Sequence, residues 1–150
     1  MEKTEDIQML IRDLFASQNL AVLATHNREQ PYASLVAFAA ADDLKFICFA
    51  TPKTTRKFAN LQVNPRVAVL INSSTNQTAD FHKAISVTAV GDAEEIPAAD
   101  REQFLPLYLA KHPYLEEFAE SPTSALVRVR VRSYYLVKNF QKVLEFHLIP

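Results

Sequence analysis

Residues 51–71 read TPKTTRKFANLQVNPRVAVLI, and the physical character of the chain changes three times within them. Thr51-Pro52-Lys53-Thr54-Thr55-Arg56-Lys57 gathers three hydroxyls and three cations directly after an apolar run. From Thr54 to Leu61 the pattern predicts a short helix, with Phe58 and Leu61 at i, i+3. Asn64-Pro65 breaks that helix, and Val67 to Ile71 predicts a strand. A helix wedged between two strands, with a cationic corner at its start, is the feature around which the rest of the chain is arranged.

Upstream, Ile7, Leu10, Ile11, Leu14 and Phe15 recur at helical spacing, so Thr4 to Ser17 predicts an amphipathic helix, with Thr4 as its cap. Leu20 to Thr25, Tyr32 to Ala40 and Leu44 to Phe49 then read as three strands, separated by Asn27–Gln30 and by Asp42-Asp43. Two hairpins in succession predict an antiparallel meander. Downstream, Ala84 to Ile96 reads as a long strand in which Gly91 marks a bulge or bend. Ala98 to Ala119 reads as helix, broken near His112-Pro113. In Ala125 to Val137, Val127, Val129 and Val131 alternate with Arg128, Arg130 and Arg132, as a strand with one buried face requires. The expected fold class is mainly β: an antiparallel barrel of six or more strands with peripheral helices, in one domain over 1–150.

Composition removes several function classes. Sixteen Lys plus Arg balance seventeen Asp plus Glu, for a net charge of -1, which argues against electrostatic nucleic-acid binding. The single cysteine, Cys48, excludes a disulfide framework and a thiolate-rich zinc site. One glycine, Gly91, excludes both Gly-rich phosphate loops, so any phosphate must be held by side chains and helix ends. Four dispersed histidines, His26, His82, His112 and His147, show no metal-ligand spacing, and no metal is expected. An acidic start without an apolar h-region, and no apolar run of membrane length, lead to an expected cytoplasmic location without a membrane partner.

The 51–57 corner is a chemically sensible anion site. A helix start offers unpaired N–H groups and partial positive charge, Arg56 can fork onto two phosphate oxygens, and Lys57 adds a point charge. Hydroxyls of Thr51 and Thr55 suit the remaining acceptor directions. The plainer alternative is a solvated basic loop with Thr54 as the helix cap. The Arg128, Arg130, Arg132 row has the same two readings, a nucleotide tail site or a solvated strand face.

Taken together, TPKTTRKFANLQVNPRVAVLI, the upstream LATHNREQPYASLVAFAAADDLKFICFAT and the downstream AISVTAVGDAEEI resemble the FMN-binding split-barrel family typified by pyridoxamine 5'-phosphate oxidase. The similarity covers about residues 20 to 140. It implies an FMN-binding split barrel in which Thr51, Thr55, Arg56 and Lys57 bind the FMN phosphate, while Ala33, Ser34, Leu35 and Val36 lie along the ring system and ribityl chain. It also implies a homodimer with FMN at the interface, where Asn72, Ser73, Asn76, Gln77 and Phe140 are further candidates. Asn72 to Thr78 can equally be a plain hydrophilic connection, and Phe140 plain core or dimer packing. The chain departs from the oxidases at its end, where Glu145 stands two residues before His147 in place of an Arg and no Trp occurs. That departure separates FMN binding from vitamin B6 oxidation.

The expected function is thus a pyridoxamine 5'-phosphate oxidase-like, FMN-dependent oxidoreductase acting on an unknown small molecule, with no catalytic side chain assigned. Its rivals are a non-catalytic flavin-binding module and a same-fold protein that uses F420 or haem. His82, beside Asp80, is either a surface turn residue or one that faces a flavin or haem iron. Cys48, in an apolar strand, is expected to pack as a small hydrophobe.

Overall fold

In the computed structural model, which describes residues 3–149, the strand order closes on itself. The strands are β1 (Leu20–Asn27), β2 (Gln30–Ala40), β3 (Phe46–Pro52), β4 (Arg66–Asn72), β5 (Ile85–Glu95), β6 (Ser124–Lys138) and β7 (Lys142–His147). They form one sheet in the order β3-β2-β1-β4-β5-β6-β7, and a further β3–β6 pairing closes six of them into an antiparallel barrel. Inside it lie Leu23, Phe38, Ile47, Ile71, Val87, Val129 and Leu136, each with 0% exposure. Each such side chain contributes roughly 1.5–3 kcal/mol by leaving water.

β6 is long enough to serve two neighbours in turn. Its first half, Ser124 to Arg130, pairs with β3, and its second half, Ser133 to Lys138, pairs with β7. Between the halves the register against β5 shifts at Val90/Gly91, with Gly91 opposite Val131 and Val90 opposite Ser133, so Arg132 is the extra residue. Gly91 permits this contact: a Cβ there would lie 2.1 Å from the Arg130 carbonyl oxygen. The bulge also turns the strand's phase. Val127, Val129 and Val131 face inward before it, and Tyr134 and Leu136 after it. The expected clean alternation over Ala125 to Val137 therefore holds only to Arg132.

The helices are peripheral. They are α1 (Thr4–Ser17), α2 (Arg56–Val63), α3 (Asp80–Lys83), α4 (Arg101–Lys111) and α5 (Glu116–Glu120). α1 buries Ile7, Ile11, Leu14 and Phe15 against one barrel mouth, with Phe15 edge-on to Phe38 at 5.5 Å. Its N-cap is Lys3 and not Thr4, and no side chain caps it. α4 follows a 3-10 turn and ends at His112, where a second 3-10 turn at Pro113 leads into α5. Lys111 ties α4 to α1 by donating from Nζ to the Phe15 carbonyl at 2.7 Å, and its ammonium stands 3.8 Å from the centre of the Phe38 ring.

Three boundaries differ from the sequence reading. Leu44 lies in a turn with φ 65 rather than in β3, and its carbonyl accepts the Tyr134 hydroxyl at 2.6 Å. β7 and α3 are missing from the sequence reading: in β7 Leu144 and Phe146 do alternate with Glu145 and His147, whereas the four residues of α3 are too few to show a period. Among the described residues, no helix is long and apolar enough to cross a membrane.

Candidate functional site

β2 is only partly covered. It pairs with β1 from Gln30 to Ala37, but with β3 only through Phe38, Ala39 and Ala40. Beyond Phe49, β3 leaves β2 and stays with β6. The N–H of Phe38 donates to Asn19 O, on the β1 side. By antiparallel alternation the main-chain groups of Ala33, Leu35 and Ala37 point the other way, into the opening. Of the four β2 candidates, Ala33 and Leu35 are therefore exposed in side chain and main chain alike, whereas Val36 is buried in the barrel. Ser34 turns inward too, and its Oγ is buried without a hydrogen-bond partner. A polar atom left in that state is uncommon in a finished fold.

The cationic corner lies beside this opening. α2 packs under β1 through a buried bond from Asn60 Nδ2 to Thr25 Oγ1, 3.1 Å. Its N-cap is Thr55, not Thr54, and Thr55 Oγ1 accepts the N–H of Phe58. Thr51 is wholly buried, and its hydroxyl meets that of Thr55 at 2.9 Å. The two threonines thus shape the helix start from within. Arg56 and Lys57 are the first two helical residues, whose N–H groups have no intrahelical acceptor. The Arg56 guanidinium stands 5.7 Å from the Tyr32 ring centre, which brings the corner to the open stretch of β2. Neither Arg56 nor Lys57 has a carboxylate partner among the ion pairs of the described residues. Lys57 is half-buried, and that desolvation lowers its pKa below the ordinary lysine value.

The remaining candidates gather elsewhere. Asn72 and Arg66 are the two ends of β4, six residues and so ~20 Å apart along the strand, and Arg66 follows directly from α2. Asn72, Ser73, Asn76, Gln77 and Phe140 thus occupy the far end of the barrel from Arg56. Asn72 Oδ1 accepts from the N–H and hydroxyl of Ser74, and Ser73 exchanges bonds with Ile85 at the start of β5. Asn76 and Gln77 are exposed, in a loop that Asp80 organises by accepting from Thr75 and Gln77. Those bonds hold the Asp80 carboxyl below its usual pKa. Phe140 is 66% exposed and touches Phe81, a residue that the sequence reading passed over.

Other candidates resolve simply. His82 is exposed on α3, and Cys48 is buried, its thiol pushed up to about 12 by that burial. Among the described residues, no group of three or more His, Cys, Asp or Glu could hold a metal.

An opening between β2 and β3, with an unpaired Arg-Lys corner at its edge, is the geometry of a split barrel. Residues 7–138 match the pyridoxamine 5'-phosphate oxidase family. The chain belongs to that family. No curated protein matches it. Among solved structures of the same fold, a haem-binding protein from Mycobacterium smegmatis has a TM-score of 0.82 at 17% identity, over 98% of this chain and 59% of its own. This chain thus spans under two-thirds of that protein. A Clostridium acetobutylicum protein related to general stress protein 26, described as of the pyridoxinephosphate oxidase family, has a TM-score of 0.73 at 15% identity, over 98% of this chain and 97% of its own. An FAD-binding protein from Mesorhizobium loti has a TM-score of 0.68 at 16% identity, over 85% and 90%. Solved structures of this fold thus include one described as FAD-binding and one described as haem-binding.

Proposed function

We propose that this protein is a flavin-dependent oxidoreductase that binds FMN non-covalently between two copies of the chain and acts on a small molecule. The observation that carries this reading is the unpaired Arg56-Lys57 pair at the start of α2, beside the uncovered main chain of Ala33 and Leu35. An exposed guanidinium and a half-buried ammonium, neither with a carboxylate, suit a phosphate dianion, and each charge-assisted bond contributes about 1.5–3 kcal/mol.

The residues divide the work by position. Arg56 forks onto the phosphate, Lys57 and the first-turn N–H groups add charge and donors, and Thr51 holds Thr55 in its capping geometry. Ala33 and Leu35 offer main-chain donors and acceptors to the edge of a planar ring, with Ser34 and Val36 supporting the strand from inside. Bound FMN would supply electron or hydride transfer, which fits a site without an acid–base pair.

The second copy follows from the distance between the two candidate clusters. Leu35, Val22 and Leu70 form one row across the outer faces of β2, β1 and β4, and Leu20 adds to this apolar patch. A two-fold axis across the strands covers the patch and sets the Asn72–Phe140 end of one chain against the Arg56 corner of the other.

The test is to identify what the purified protein holds or takes up, by absorbance and by mass of the released molecule, together with its sedimentation mass. A dimer with a flavin spectrum and the mass of FMN is expected. A haem Soret band, the spectrum of F420, or a monomer that takes up no FMN would overturn the reading.

A further inference from the structure

Phe81 and Phe140 come from two separate connections, α3 and the β6–β7 turn, yet their rings meet edge to face at 5.4 Å and 89°. Both face solvent, at 54% and 66% exposure. Phe140 also adopts φ 63, a left-handed backbone that disfavours any side chain. Asn139 before it is also at positive φ, so the β6–β7 turn fixes where the Phe140 ring stands.

The pair lines one cavity of about 310 Å³, with Leu70, Ile85 and Val137 among its apolar walls. Its polar residues are mostly turned to the loop. Asn72 Oδ1 accepts from Ser74, and both Asp80 oxygens accept from Thr75 or Gln77. Among the described residues, no Lys or Arg lines the cavity, and Asp80 is the one charged residue that does. The Arg56 corner contrasts with it: there the charged groups are the cations Arg56 and Lys57, and neither has a carboxylate partner among the ion pairs of the described residues.

We propose that this cavity is the substrate subsite and that it takes a flat, uncharged aromatic molecule of one or two rings, not a phosphate ester. An aromatic pair set edge to face offers a ring both an edge and a face, and the volume is at the small end for ligand pockets. With FMN filling the other copy's Arg56 corner, a phosphorylated ligand would meet a carboxylate and no free cation. The role as substrate subsite rests on the FMN reading, because only the two-fold dimer proposed above sets this cavity against the other copy's Arg56 corner. Binding of the aromatic molecule does not rest on it.

The test compares 1-naphthol with 1-naphthyl phosphate, which differ only in the phosphate, by calorimetric titration of the purified protein in excess FMN, so that the Arg56 corner is already filled. Wild-type protein should bind 1-naphthol about tenfold more tightly than the phosphate ester. Phe81→Ala should weaken 1-naphthol about tenfold and leave FMN affinity unchanged, and Phe140→Gly should weaken 1-naphthol about tenfold. Glycine accepts the left-handed turn at position 140, so that variant keeps its fold. Equal binding of the two probes, no binding of 1-naphthol, or unchanged binding in both variants would overturn the proposal while leaving the FMN reading intact. Loss of FMN affinity in Phe81→Ala would assign the rings to the flavin instead and overturn it as well. Wild-type protein that binds 1-naphthol but not FMN would instead end the flavin reading and, with it, the substrate role.

Discussion

Two stretches of this chain look equally cationic in the sequence, Lys53 to Lys57 and Arg128 to Arg132, yet the fold treats them in opposite ways. Arg128 reaches Glu94 at 2.7 Å and Asp100 at 2.9 Å while its guanidinium lies over Phe46 and Phe104. Arg132 reaches Asp92 at 2.6 Å, and Arg130 lies over Phe46. Arg128 and Arg132 are neutralised and fasten β6 to β5 and to the start of α4, while Arg130 has only the Phe46 ring. Arg56 too has only a ring, that of Tyr32, but beside it Lys57 is desolvated without a carboxylate. Lys53 lies 3.9 Å from Glu95, so what sets Arg56 and Lys57 apart is that two cations without a carboxylate stand together at a helix start beside the open stretch of β2.

The comparison breaks most visibly by exchange of the damage. Arg56→Ala with Lys57→Ala should lower FMN affinity at least about a hundredfold, corresponding to ~3 kcal/mol or more, with little change in melting temperature. Arg130→Ala should leave FMN affinity where it was. A double variant that keeps wild-type affinity would show that the corner is only a solvated loop.

Next in size is Gly91→Ala. Its Cβ would meet the Arg130 carbonyl oxygen, a backbone atom that cannot swing aside, so the β5–β6 bulge must shift. A loss of ~2–3 kcal/mol in denaturant unfolding is expected. Arg128→Ala follows, at ~1–3 kcal/mol, because its side chain is only 12% exposed and two carboxylates lose their partner. Arg132→Ala, at an exposed pair, should cost ~0–1 kcal/mol. If Arg132→Ala cost as much as Arg128→Ala, burial would not be what ranks these pairs.

The smallest effect is protonic. Burial lowers the Lys57 pKa in the free protein, and a bound phosphate beside it restores the charged form and raises that pKa again. Between the two values FMN binding should take up a proton, and affinity should fall as pH rises through that window. Titrations at alkaline pH in buffers of different ionisation enthalpy measure the uptake. Its persistence in Lys57→Met would assign the proton to another group.

The same contrast marks how far the sequence could be read. Patterns that reflect burial were legible: the α1 face, the Val127–Val129–Val131 alternation, and the helix break at His112-Pro113. So was the Gly91 bulge, since a lone glycine in a strand signals close backbone approach. Charge pairing was not legible, because Glu94 and Asp100 reach Arg128 only through strand register and the start of α4. β7 escaped notice because its turn uses Asn139 and Phe140, both at positive φ, where a glycine would have announced the hairpin. Of the candidate site, the Thr-Arg-Lys corner and the β2 stretch were legible. Their separation by a barrel length from Asn72 and Phe140 was not, nor was the contact between Phe140 and Phe81.

The central claim is that Arg56 and Lys57 exist to hold a phosphate. Calorimetric titration of the cofactor-free wild-type protein with FMN and with riboflavin, which lacks only that group, tests it directly. The account predicts affinity for FMN at least about a hundredfold above that for riboflavin. Equal affinity for the two would contradict it.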